Sequence, residues 1–127
     1  MNQRIKPTES ELEILQILWQ EGTTSVKCVH EKVALKRDIG YTTTLKIMQI
    51  MTEKGFCTRV LEGKSHYYTA LVKEEDIQNG FIDTIVNQVF QGSAMDLVIQ
   101  TLGNYKASNT EISELKQFIE LMEKNQK

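Results

Sequence analysis

Thr42, Thr43, Lys46 and Gln49 are the side chains whose types and spacing best suit chemistry on a partner. Within the segment 40–56, Thr44, Ile47, Met48 and Met51 fall at i, i+3, i+4 and i+7, the pattern of a buried helical stripe. The four polar residues are left on other faces. Hydroxyl, ammonium and carboxamide groups of this reach can hydrogen-bond base edges or contact phosphates. A helix that keeps threonines in its first turn and stops at Lys54-Gly55 also fits a DNA recognition helix, which reads bases mainly through its N-terminal residues. An ordinary amphipathic helix with a solvated face has the same pattern, so this segment alone leaves both readings open.

Other reactive side chains do not assemble into a site. Cys28-Val29-His30-Glu31 puts a thiol, an imidazole and a carboxylate together, but residues i and i+2 of a helix point to different faces, so they make no nucleophile–base pair. The chain has no glycine-rich phosphate loop, no HExxH and no nucleophile elbow, which speaks against an enzyme. His30 is expected to pack between helices or face DNA, and His66, beside Tyr67 and Tyr68, to be a strand residue. Cys28 and Cys57 lie far apart without metal-ligand spacing, so reduced thiols in a cytoplasmic protein are expected, with no metal and no cofactor.

The elements that must position the polar helix face are legible around it. Thr8-Glu9-Ser10-Glu11 has the form of a capping box, so a helix should start there, with Leu12, Leu15, Leu18 and Trp19 on its apolar face and Gly22 as its stop. Thr23-Thr24-Ser25 offers a second N-cap, followed by the stripe Val26, Val29, His30 and Val33. After the third helix, Cys57–Leu61 and His66–Ala70 are β-prone runs around the tip Glu62-Gly63-Lys64-Ser65 and read as a hairpin. Three helices with the third as reader, then a two-stranded ribbon, describe a winged helix-turn-helix.

Downstream, Lys73-Glu74-Glu75-Asp76 should open a helix favourably against its dipole, with an apolar band that includes Phe81, Ile85 and Val89. Asn79-Gly80, a turn dipeptide, is expected to kink or delay it. Gln91-Gly92-Ser93 breaks it, a second apolar run includes Leu97 and Leu102, and Ser108-Asn109-Thr110-Glu111 caps a last helix with Leu115, Phe118, Ile119 and Met122 on one stripe. Three short helices this apolar cannot hide all their faces in a unit of about fifty residues, so the surplus should be buried against a second copy. Packing them onto the winged domain of a monomer is the alternative.

The fold class expected is thus mainly α with a small β-hairpin: a winged helix-turn-helix over 1–72 and a three-helix dimerisation region over 73–127. A length of 127 residues with 40% hydrophobic content suffices for one core and a smaller attached unit. No apolar run of about eighteen residues occurs, so membrane insertion is not expected. The net charge of −2 is awkward for a DNA binder, whose affinity comes largely from neutralising phosphates. Up to Val72 the chain carries ten Lys and Arg against eight Asp and Glu, and afterwards five against nine; between Lys27 and Lys64 the balance is eight to four. Moderate, strongly salt-dependent affinity is the expectation, with a winged-helix protein-protein adaptor lacking sequence-specific DNA binding as the competing class.

These residues, in this order, resemble the penicillinase repressor family, the BlaI/MecI group of bacterial repressors. The resemblance rests on Leu12-Glu13-Ile14-Leu15 with Leu18-Trp19, on Val26 and Val29-His30-Glu31, on Tyr41-Thr42-Thr43 with Gln49 and Glu53-Lys54-Gly55-Phe56, on Tyr67-Tyr68, Leu71-Val72 and the helix from Glu111 to Leu121. It implies a cytoplasmic homodimer on a palindromic operator, with Thr42 and Thr43 on base edges or thymine methyls and Lys46 and Gln49 on a base or phosphate. Lys27 near the start of the second helix, and Lys64 and Ser65 at the wing tip, would reach the backbone. It also implies control of antibiotic-resistance genes by a membrane sensor-protease system. Two departures stand out: Ile50 occupies a position where relatives often carry arginine, and the Asn-Phe bond cut in resistance repressors corresponds to Gln100-Thr101. The C-terminus lacks the cysteine-rich motif of the copper-responsive branch, so a metal sensor is not expected.

Overall fold

The computed structural model describes residues 6–126; residues 1–5 and 127 of the expected domain bounds lie outside them. The first helix, α1 (Glu9–Glu21), begins at the capping box: the Glu11 amide donates to Thr8 Oγ1 at 3.1 Å and the Thr8 amide donates to Glu11 Oε1 at 2.9 Å. It ends at Gly22, whose φ of 77° suits a residue without a Cβ. Its buried face is Glu11, Ile14, Leu15 and Leu18. Leu12 and Trp19, expected there, are only half-buried, because the stripe is centred one position from the one read in the sequence.

Ser25 caps α2 (Val26–Ala34) by accepting from the Cys28 amide at 3.2 Å, and Val26, Val29 and Val33 are buried. A short turn leads to α3 (Tyr41–Lys54), whose buried residues are Thr44, Met48 and Met51, with Ile47 packed against the core from its edge. Gly55 closes α3 in the left-handed region at φ 88°.

The hairpin is β2 (Cys57–Glu62) and β3 (Ser65–Ala70), antiparallel, with Cys57 opposite Ala70 and Glu62 opposite Ser65. Ser65 therefore opens β3, and the tip proper is Gly63-Lys64. A third strand, β1 (Thr24–Ser25), pairs antiparallel with β3 and makes the sheet order β1-β3-β2. Two residues, the second of which is also the cap of α2, carry no alternation, so this strand leaves no mark in the sequence. The hydrophobic core joins Ile14, Leu15 and Leu18 to Val29, Val33, Met48, Met51, Phe56, Cys57 and Tyr68. Helices α1, α2 and α3 with this three-stranded sheet form a winged helix, mainly helical as expected.

Three further helices follow: α4 (Glu74–Gln88), α5 (Ala94–Asn104) and α6 (Asn109–Asn125). The helix α4 starts at Glu74 and is helical through Asn79-Gly80, so the turn dipeptide does not delay it. Gln91 and Gly92, both at positive φ, turn the chain before α5. Ser108 and Glu111 form a second reciprocal capping box at the start of α6. None of the residues of α4, α5 and α6 is buried. By packing, the chain divides at Asp83/Thr84, within α4, whose first turns go with the winged helix.

Candidate nucleic-acid interface

The helix-turn-helix is α2, the turn and α3, and its geometry sorts the threonine run. Thr42 and Thr43 are exposed, as are Lys46 and Gln49, whereas Thr44 is fully buried. The buried hydroxyl is satisfied: Thr44 Oγ1 lies 2.9 Å from His30 Nδ1 and donates weakly to the Gly40 carbonyl at 3.5 Å. His30 also meets the Tyr41 ring edge-on, with centroids 5.5 Å apart at 81°. This half-buried histidine therefore packs α2 against the first turn of α3. A polar tie of this kind fixes where the exposed threonines point.

The far end of α3 is tied as well. Lys54 Nζ lies 2.8 Å from Glu11 Oε2, and the same carboxylate accepts the Thr8 amide through its other oxygen. Glu11 is 4% exposed, so its charge is matched by a cation and a backbone donor. Along the middle, Thr52 Oγ1 donates to the Met48 carbonyl at 3.0 Å and lies 3.4 Å from Cys57 Sγ. Burial pushes the Cys57 thiol above its ordinary pKa, with the Thr52 hydrogen bond pulling the other way. A thiol that resists ionising is a poor nucleophile and a poor metal ligand. Among the described residues, no three His, Cys, Asp or Glu side chains converge as a metal site.

Charge is distributed less evenly than the sequence count implies. Of the eight basic residues between Lys27 and Lys64, three are held by carboxylates of α1: Lys32 by Glu21 at 3.2 Å, Arg37 by Glu13 at 3.0 Å, and Lys54 by Glu11. Arg37 also donates to Ser10 Oγ at 3.2 Å. Lys27, Lys36, Lys46, Arg59 and Lys64 are exposed and, among the described residues, have no carboxylate at ion-pair distance. The carboxylates of α1 thus neutralise three of these cations and leave the other five without a carboxylate partner among the described residues.

Every residue expected at a DNA contact is exposed: Thr42, Thr43, Lys46 and Gln49 on α3, Lys27 in the first turn of α2, Lys64 at the wing tip and Ser65 beside it. Sequence reasoning misses Lys36 and Arg59. Arg59 follows Cys57 by two residues and so shares the strand face that Cys57 turns toward α3. That period-2 relation is available in the sequence once the hairpin is drawn. Ile50 is 36% exposed on the outer side of α3. In the C-terminal helices and at Val89 just past α4, the expected interface residues Ile85, Val89, Leu102, Leu115, Phe118, Ile119 and Met122 are exposed within the single chain, while Phe81 and Leu97 are half-buried.

The family model described as penicillinase repressor matches residues 7–121. The methicillin resistance regulatory protein MecI of Mammaliicoccus sciuri is 26% identical over 118 residues, covering 93% of this chain and 96% of that protein. The penicillinase repressor of Staphylococcus aureus is 20% identical over 118 residues, covering 93% of this chain and 94% of that one. A solved structure of a point mutant of Lactococcus lactis ZitR aligns with a TM-score of 0.47 at 16% identity, covering 99% of this chain and 80% of that chain, a likeness too loose to bear on function.

Proposed function

This chain belongs to the penicillinase repressor family, and from that membership we propose that it is a transcriptional repressor that binds a palindromic operator as a homodimer and leaves it on an inducing signal. The observation that carries the reading is the division of α3 into a buried stripe, Thr44, Met48 and Met51, and an exposed strip, Thr42, Thr43, Lys46 and Gln49. Thr42 and Thr43 take base edges or thymine methyls in the major groove, and Lys46 and Gln49 a neighbouring base or phosphate. Gly40, the N-cap of α3, supplies no side-chain acceptor, so the first-turn amides are open to the backbone that the threonines approach.

Lys27, Lys36, Arg59 and Lys64 flank that strip from α2, the turn and the wing. If the five unpaired cations, Lys46 with these four, each neutralise one phosphate, a dimer neutralises about ten, hence a logarithmic salt slope of about −9. Two-fold protein symmetry pairs with two-fold operator symmetry. The helices α4–α6, apolar yet without a buried residue, supply the surface for the second copy. Relatives that carry the names methicillin resistance regulator and penicillinase repressor support a bacterial repressor acting on resistance genes; a cytoplasmic location and an answer to a membrane sensor-protease system are part of the proposal, taken from the family resemblance. Any cut at Gln100-Thr101 requires α5 to open first, since that bond is helical and Thr101 Oγ1 donates to the Leu97 carbonyl at 2.7 Å.

Selection of bound sequences from random duplex DNA, with the solution mass recorded alongside, tests the reading. A palindromic motif bound by a dimer is the expected result. No enriched motif, at low salt and at concentrations where the dimer is present, would replace it with the adaptor reading.

A further inference from the structure

A cavity of about 560 Å³ opens where the end of α3, the segment after β3 and the start of α4 meet. Its size falls within the range of small-molecule sites. Its lining includes the apolar Phe56, Leu71 and Ile77 and the exposed cations Lys6 and Lys73. The walls are also held in place. The Phe56 amide donates to the Met51 carbonyl, the Leu71 amide donates to the Phe56 carbonyl, and Trp19 Nε1 donates to the Val72 carbonyl, each at 2.9 Å. A pocket whose walls are pinned by these hydrogen bonds, two of them between distant parts of the chain, needs little reorganisation to accept an occupant.

The charges at this cavity are not balanced. Lys54, which also lines it, is neutralised by Glu11. Lys6 sits 5.2 Å over the Phe81 ring and Lys73 has no carboxylate partner among the described residues, so the two stand against the single lining carboxylate, Asp76. One net positive charge together with an apolar lining selects a small molecule with an apolar body and a single negative group. We propose that this cavity is an effector site for a small amphipathic monoanion, and that its occupation changes DNA affinity.

Coupling follows from which elements the walls belong to, and it rests on the repressor reading above. Lys54 and Gly55 are the last residue and the cap of α3, and Ile77 lies in the first turn and a half of the helix that leads out of the winged unit. An occupant that touches both binds one arrangement of α3 and α4 better than another. If that arrangement is not the DNA-bound one, the ligand and the operator oppose each other reciprocally.

Phenylbutyrate is the probe, with phenylbutanol as its uncharged counterpart, and Trp19 is the reporter because it is the sole tryptophan and bonds directly to a wall residue. Titration calorimetry and tryptophan fluorescence on the full chain, without DNA, should show saturable binding of the acid and about tenfold weaker binding of the alcohol. The double variant Lys6→Glu, Lys73→Glu, at two exposed positions, should bind the acid about tenfold more weakly with unchanged melting, and Ile77→Trp should fill the cavity and abolish binding. With the selected duplex, saturating acid should shift wild-type affinity by about fivefold or more and leave the variants unshifted.

Absence of binding, or equal binding by wild type and both variants, overturns the site. Binding without any shift in DNA affinity overturns the effector role. Since the first arm uses no DNA, a failure of the repressor reading appears only in the selection experiment and cannot be mistaken for either.

Discussion

Thr43 and Lys46 stand three residues apart on the exposed side of α3, and their chemistry predicts different failures. A phosphate contact acts on every sequence alike, so Lys46→Glu should weaken binding to all duplexes and flatten the salt dependence by about one unit of slope per subunit. A base contact acts on one position, so Thr43→Ala should relax preference there by about 1 kcal/mol while total binding to random DNA changes little. Filter binding across a salt series with specific and random duplexes separates the two, and if neither variant moved either quantity, α3 would not be the reading element. Ile50 gives the converse prediction. It is apolar on the face proposed to meet DNA, where the family resemblance leads one to expect arginine. Ile50→Arg should tighten binding to random DNA severalfold and steepen the salt slope by about one unit per subunit. An unchanged slope would place position 50 away from the phosphates.

At the level of elements, the caps are where sequence and structure agree most closely, because a cap is a local event set by residues three apart. Thr8 with Glu11 and Ser108 with Glu111 both form as reciprocal boxes. The second also links to Tyr105, whose hydroxyl donates to Glu111 Oε2 at 2.7 Å. The Ser108 amide, and then the Tyr105 hydroxyl, hold the Glu111 carboxyl below the usual carboxylate range, while the Glu111 carboxylate pushes the Tyr105 phenol up. A lowered carboxylate contributes stability that is present above its unfolded pKa and lost as pH falls through the folded value. A raised phenol contributes below its unfolded pKa and loses this as pH rises through the folded value. Amide protection at the start of α6 should accordingly be greatest between those limits and fall off at both acid and alkaline ends, and Glu111→Gln should remove the acid limb. A pH-independent protection profile in the wild type would mean that the box does not form. What sequence could not show depends on contacts distant along the chain. The strand β1 is defined only by Thr24 and Ser25 meeting Tyr68 and Tyr67. The tie from His30 to Thr44 spans two helices, and the pairing of Lys32, Arg37 and Lys54 with carboxylates needs the acidic side of α1 to be placed. The polar strip of α3 was legible because helical periodicity sorts four residues onto a face; the charges around it were not, because pairing is tertiary.

On the scale of the whole molecule, the contrast lies between a winged unit with a closed core and helices that have none. In the first, eleven hydrophobic residues are buried together. In α4–α6 the apolar side chains remain open in a single chain, with Phe118 59% and Ile119 55% exposed. Apolar surface of this kind is stabilised by removal from water at about 25 cal/mol per Å², and a second copy with the same stripe is the partner that two-fold symmetry offers. The double change Phe118→Asp, Ile119→Asp should therefore give a single-chain mass in sedimentation at concentrations where the wild type is a dimer. Thermal unfolding of the winged unit, followed by Trp19, should stay put, because Trp19 is anchored to Val72 within that unit. Operator affinity should fall by about a hundredfold, since each half-site then binds alone rather than at the effective concentration set by its neighbour. A double variant that still sediments as a dimer would move the interface away from α6. A wild type that sediments as a single chain while binding a palindrome would make DNA, rather than these helices, the element that brings two copies together.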